Sequence, residues 1–437
     1  MVETPPTTGD RIWRWVAGGA ALAFTVVPAV RASGVLAFLC LAAAIVLASY
    51  ALVGGRTWLE LVTAALVLIP GVAQGVRWLS MNRPRRGDRA TPAGGVATGA
   101  RVTLAIVLTM FLVAILLPLL RSADPYFADL IDSWVEHLPR LEGRLIGGAL
   151  ILAAISIGAA FFAHRGPFAN SSTVEGNRPL GGLDWMIPLV VVNLIFAVFV
   201  AVQIRVLFGG HRYVLSVGGP DYADYARRGF GELCAVTVIA LGLVATVGGL
   251  AKRETAAQRM MVRTAGGLLC ALTLVIVASA LQRMLLYVDA YGFTWRRLLP
   301  FTVEVWLGLV FVLLLAAGIK LRGNWLPRAI VASGAGVLFA LVAVNPEALI
   351  ARTTLARLET SYPVDYEYLD TLSADAVDEI LRLPRAERNC ALEQLSRELE
   401  GGDPWYAFNV ARERARTALA DVEIGRCDYS QILRNRR

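Results

Sequence analysis

Lysine is almost missing from this chain: among 42 basic residues in 437, Lys252 and Lys320 are the only two that are not arginine. Histidine is nearly as rare, and His137, His164 and His211 fall in three separate loops, so no zinc-ligand spacing arises. Charged residues make up 17% of the chain, against about 25% in an average soluble protein. The net charge of +8 is spread rather than gathered into a patch, which removes nucleic acid as a partner. Phosphate-binding glycine loops, nucleophile elbows and paired-histidine helices are missing too, so no catalytic residue, cofactor or metal ligand follows from motif.

What fills the space is hydrocarbon. Hydrophobic residues make up 56% of the chain, in apolar blocks broken by short polar stretches. Crossing a bilayer core of about 30 Å takes about 20 apolar residues at about 1.5 Å each. Ten windows qualify: 12–30, 34–53, 58–76, 102–120, 145–163, 185–207, 230–250, 264–286, 301–321 and 329–344. Backbone amides in lipid must be satisfied within their own segment, so these windows predict helices, and the fold class is an all-α, polytopic membrane protein of about ten spans. Pro28, Pro70, Pro118, Pro188 and Pro300 fall near the predicted ends, where a missing amide costs little. The lipid bilayer is thus the first expected partner.

Arginine and lysine set the expected orientation. The loops after the third, seventh and ninth windows are basic, with Arg83, Arg85 and Arg86, then Lys252 and Arg253, then Lys320 and Arg322, and ten spans would place all three in the cytoplasm. The acidic loop carrying Asp124, Asp129, Asp132, Glu136 and Glu142 falls on the other side, and both termini go outside. Against this, Arg11 and Arg14, at the start of the first apolar block, favour an inside N-terminus, and residues 30–32 also suit a signal cleavage pattern.

The division expected is a membrane domain over 1–344 and a small helical domain over 345–437, on or near the membrane surface. Ser373 with Asp375 marks a helix start before the apolar stripe of Val377, Ile380 and Leu381. Helices are expected over 386–399 and 405–420, broken at Gly401 and Gly402. Cys40, Cys234 and Cys270 lie in apolar windows as small hydrophobes. Cys390 and Cys427 would pair if their segment is extracytoplasmic; two separate buried thiols are the alternative.

Polar residues near span ends mark the candidate site, because an ionisable group in hydrocarbon needs a partner or water. Gln203 and Arg205 end the sixth window, Glu232 opens the seventh, Gln282 and Arg283 close the eighth, and Glu304 lies one turn into the ninth. Similar depth allows an Arg283–Glu304 ion pair across the hairpin between the last two. Tyr287 and Tyr291 are one turn apart at headgroup depth, Gly292 releases the helix, and Arg296 and Arg297 serve lipid phosphate or Asp289. The candidate cluster is Arg205, Glu232, Arg283, Asp289, Tyr291 and Glu304, either a wet cavity or a lattice of ion pairs that fixes helix register.

The block Leu285–Thr294, followed by Arg296, Arg297 and Trp306, resembles the signature of a bacterial family of polytopic membrane proteins catalogued only as a domain of unknown function. Tyr222–Phe230 with Glu232, and Asn345-Pro346 with Tyr368-Leu369 and Leu372–Val377, are similar to its other recurring blocks. The resemblance runs over about 182–437, implies a multi-pass membrane fold, and brings no activity, substrate or catalytic residue. Three functions stay open: a non-enzymatic scaffold or sensor contacting an envelope protein through 345–437, a permease using Arg205, Glu232, Arg283 and Glu304 as a polar path, or a lipid-headgroup enzyme with Asp289 or Glu304 as base.

Overall fold

A computed structural model describes residues 8–53, 98–135, 182–208, 220–250, 255–320, 325–356, 366–404 and 407–427. Among the described residues the regular structure is helical, with no strand. In chain order the long helices are α1 Thr8–Val30, α2 Gly34–Val53, α3 Thr98–Ala123, α4 Pro125–Val135, α5 Gly182–Phe208, α6 Pro220–Leu250, α7 Ala256–Tyr291, α8 Trp295–Lys320 and α9 Leu326–Val344. Shorter elements follow: α10 Pro346–Leu355, α11 Tyr366–Asp370, a 3₁₀ turn Ala374–Ala376, α12 Val377–Ile380, α13 Arg385–Leu399 and α14 Val410–Leu419.

Seven described helices, α1, α2 and α5 to α9, are long and apolar enough to cross a membrane, and α3 adds a shorter apolar run, Leu108–Ala123. The protein is therefore an all-α, polytopic membrane protein. The windows at 58–76 and 145–163 lie outside the described residues. Exposure agrees with a lipid solvent: Trp15, Leu22 and Phe38 point outward from their spans at 81%, 71% and 73% exposure, as side chains facing hydrocarbon should. Helices also outrun their windows. At about 1.5 Å per residue the 36 residues of α7 reach about 54 Å, longer than the hydrocarbon core of about 30 Å. Pro300 lies inside α8 rather than at its start, because Thr294 O already accepts the amides of Arg297 and Leu298.

The chain divides into two compact units. The first comprises Met1–Asp88, Val288–Pro300 and Asn324–Arg437, and the second Arg89–Tyr287 and Phe301–Gly323. In the first, α1 and α2 form an antiparallel pair about the turn 31–33. One core runs from Phe24, Leu36 and Cys40 on that pair to Ile350, Leu369, Val377, Ile380 and Leu392 in the segment after α9. Phe24 stacks on Phe339 of α9 at 4.1 Å. In the second unit α3 packs between α5 and α6, with Phe127 of α4 edge-on to Phe199 of α5 at 5.2 Å.

Contacts inside the first unit correct the expected placement of the termini. Asp10, at the start of α1, pairs with Arg328, at the start of α9, while Arg31, at the end of α1, pairs with Asp375, beyond the end of α9. These two spans thus run in the same direction. The start of α1 therefore lies at the end of the first unit opposite to the segment after α9. An even count of ten had put both ends on one face, which two parallel spans at the start and end of the bundle do not give.

Candidate functional site

Two polar centres are built from these elements, one in each unit. In the second unit the centre is Asp124, the residue between α3 and α4. Its Oδ1 accepts the amides of Tyr126 at 3.0 Å and Phe127 at 3.1 Å, capping α4 ahead of Pro125 in the first turn. Its Oδ2 accepts from Arg283 Nη2 at 2.8 Å and from Gln203 Nε2 at 2.7 Å. Arg283 also donates to Ala123 O and to Gln203 Oε1, and Ser279 donates to the same Gln203 oxygen. The Asp124 side chain is wholly buried and that of Arg283 is 9% exposed, so this pair is sealed. Gly229 of α6 passes against it: a Cβ there would come within 2.8 Å of Ala123 O, a position only glycine fits.

The expected Arg283–Glu304 pair does not form. Depth along a hairpin does not fix which way each side chain points around its helix, and Arg283 faces α3 and α6 while Glu304 faces Thr237 of α6 at 2.9 Å. Glu232 is half-buried and accepts from Ser122 of α3. Arg205 lies on α5, with its side chain outside the described residues. Asp289 and Tyr291 belong to the first unit, at the exposed end of α7. There Gly292 adopts a left-handed φ of 74°, and Arg297 donates to the carbonyls of Tyr291 at 2.8 Å and Gly292 at 2.6 Å. Its guanidinium lies 5.7 Å from the Tyr291 ring centre. Arg297 thus closes the helix end.

The centre of the first unit was not expected. Asp375 accepts the amides of Ala32 at 2.6 Å and Ser33 at 3.1 Å and pairs with Arg31 at 3.3 Å, which fastens the segment after α9 to the α1–α2 turn. Burial pushes its carboxyl above the usual carboxylate range, while the two amides and the guanidinium pull the other way. Asn345 joins α9 to α10: at a left-handed φ of 55° its side chain caps Ala348 N at 3.4 Å and donates to Asp375 O at 3.3 Å. Glu347 accepts the Trp295 indole at 3.1 Å and Ser373 N at 2.6 Å, and the Tyr368 hydroxyl accepts Trp295 N at 2.9 Å. Further out, Asn409 donates to Pro28 O and Arg31 O, both at 2.9 Å. A half-open cleft of about 210 Å³ remains between Arg31, Asn345, Asp375, Asp378 and Arg414.

Cys390 of α13 and Cys427, beyond α14, are disulfide-bonded, with Cα atoms 4.3 Å apart. Asp403 receives Arg416 at 2.7 Å and Arg412 at 2.9 Å, and these bonds, the one to Arg416 first, hold its carboxyl below the usual range. The helix expected over 405–420 begins at Val410, because Asn409 accepts Arg412 N as its cap. A polar residue directly before proline, in Asp124-Pro125 and Asn345-Pro346, is a helix-start signal that marks two of these residues in advance. No local signal marks Asp375 as the partner of a turn some 340 residues away.

Parts of two of the quoted blocks meet in this centre: Asn345-Pro346 with the stretch Tyr368 to Val377, and the turn after Tyr291 that leads to Trp295. No curated protein and no solved structure matches the chain. A match over residues 18–383 is to the family described as "Domain of unknown function (DUF4153)". It reaches back to α1, well before the resemblance beginning near residue 182, and stops ahead of α13, so the disulfide lies beyond it. Covering most of the 437 residues, that match assigns the chain to the DUF4153 family of unknown function.

Proposed function

We propose that this chain is a non-enzymatic scaffold or sensor of the bacterial plasma membrane that holds its C-terminal helices on the extracytoplasmic face for an envelope protein. The observation that carries this reading is the junction at Asp375, which ties those helices to the α1–α2 turn and so presents them as a fixed platform. Sidedness supports it from two directions. Arg11, Arg14 and Arg328 gather at the start of α1 and α9, the pattern of a cytoplasmic face. The Cys390–Cys427 bond, at the other end of α9, suits an oxidising compartment.

Phe408 and Val410 are exposed on either side of Asn409, which bonds the end of α1, so they sit where apolar side chains meet the lipid boundary. A permease path or a headgroup enzyme draws less support, because Arg283 is committed to Asp124 and Gln203. Photocrosslinkers placed at the exposed positions Asp378 and Arg414 in living cells test the platform. The expected result is one reproducible protein adduct from both positions. Lipid adducts alone, with an altered lipid or metabolite profile in a strain lacking the gene, would favour transport or catalysis.

A further inference from the structure

Among the described acids of the second unit, Glu304 is wholly buried with no cation beside it. It lies within the span Trp295–Ile319, its side chain is wholly buried, and its Oε2 has no hydrogen-bond partner. Among the described residues no cation pairs with it; Arg283, the nearest candidate by sequence depth, is committed to Asp124. The titratable group that faces it is Cys234 of α6, a thiol. Four residues further along α8, a Cβ on Gly308 would come within 3.1 Å of Val277, so α7 packs tightly there and closes the neighbourhood with apolar contact.

Proton counting at Thr237 is informative. Its Oγ1 lies 2.9 Å from Leu233 O and 2.9 Å from Glu304 Oε1, and a hydroxyl has one proton to give. A backbone carbonyl can only accept. With the hydroxyl proton on Leu233 O, the contact to Glu304 is a hydrogen bond only when the carboxyl supplies the proton. With the hydroxyl proton on Glu304 instead, a carboxylate would sit in hydrocarbon with no counter-charge and with nothing stronger than the weak thiol donor of Cys234 beside its other oxygen, a costly arrangement for a buried acid. A neutral acid satisfies the geometry at both ends: its O–H goes to Thr237, and the other oxygen, with only the Cys234 thiol near it, is uncharged.

We propose that Glu304 is a proton-binding site inside the membrane, its occupied state sealed by Thr237, so that proton release requires α6 and α8 to part. The ligand is the proton itself. On the reading of the chain as a sensor, such a site would be an input inside the membrane itself.

The test is infrared difference spectroscopy on the full chain in lipid nanodiscs at neutral pH, wild type minus Glu304→Gln. Glutamine keeps the volume and the ability to donate to Thr237, so abundance should stay within about twofold. The expected difference is the loss of one protonated carboxylic acid C=O band per chain. A second variant, Thr237→Val, keeps the shape and removes the acceptor, and it should move that band without abolishing it. Loss of carboxylate bands instead, or a band indifferent to Thr237→Val, would overturn the proposal.

Discussion

The two buried aspartates solve the same problem from opposite directions. Asp124 and Asp375 each accept two backbone amides and one arginine. For Asp124 the amides belong to the helix it begins, two and three residues on, and the arginine comes from a distant helix. For Asp375 the amides and the arginine all come from the α1–α2 turn, more than 340 positions earlier. The first is a local cap recruited into a bundle; the second is a clasp that exists only when the chain has folded. Their surroundings differ as well, since Arg283 is 9% exposed and Arg31 22%. A sealed pair is the costlier one to break, because removing one partner strands a charge that water cannot reach.

The largest expected effect follows. Arg283→Ala leaves the Asp124 carboxylate uncompensated and should cost about 3 to 5 kcal/mol, read as lost membrane abundance and a lowered unfolding temperature in detergent. Lysine should not rescue it, because one guanidinium serves Ala123 O, Asp124 and Gln203 together. Asp375→Ala orphans two amides and frees a part-exposed arginine, for about 2 to 3 kcal/mol. That loss should appear as protease sensitivity after residue 345 with the membrane helices intact. Equal loss of the whole bundle in both variants would erase the distinction between cap and clasp.

A smaller effect separates two carboxyls of the C-terminal segment by the sign of their pH dependence. Asp403 is held low by Arg416 and Arg412, so its contribution is full above the unfolded carboxylate range, about pH 4, and is lost as pH falls through its depressed range. Asp375 is raised by burial, so its proton-linked contribution is full below about pH 4 and declines as pH rises through its own range. Proteolysis of the wild type against Asp403→Asn and Asp375→Asn from pH 3 to pH 7 should show the two variants flattening opposite limbs. Limbs flattened on the same side would contradict the assignment.

Much of the architecture was legible because its causes are local. Apolar runs set the spans, Gly292 marked the end of α7, and Ser373 accepts Asp375 N at 3.4 Å, as a helix start should. The site was less legible because its causes are not local. Arg283 looked equally ready for Glu304 until rotation around α7 was known, and nothing near Asp375 announced Ala32 and Ser33. Parity is the weak point of any window count: one window more or less inverts every later loop, whereas the contacts at Asp10–Arg328 and Arg31–Asp375 read relative direction from α1 and α9 alone.

Single-cysteine labelling with a membrane-impermeant maleimide in intact cells tests that direction most directly, using Gly9→Cys in the first turn of α1 and Glu400→Cys after α13, in chains whose Cys40, Cys234 and Cys270 are replaced. Position 400 should react from outside, and position 9 should react only after the membrane is permeabilised. Equal labelling of both positions before permeabilisation, or reaction of position 9 alone, would contradict the account.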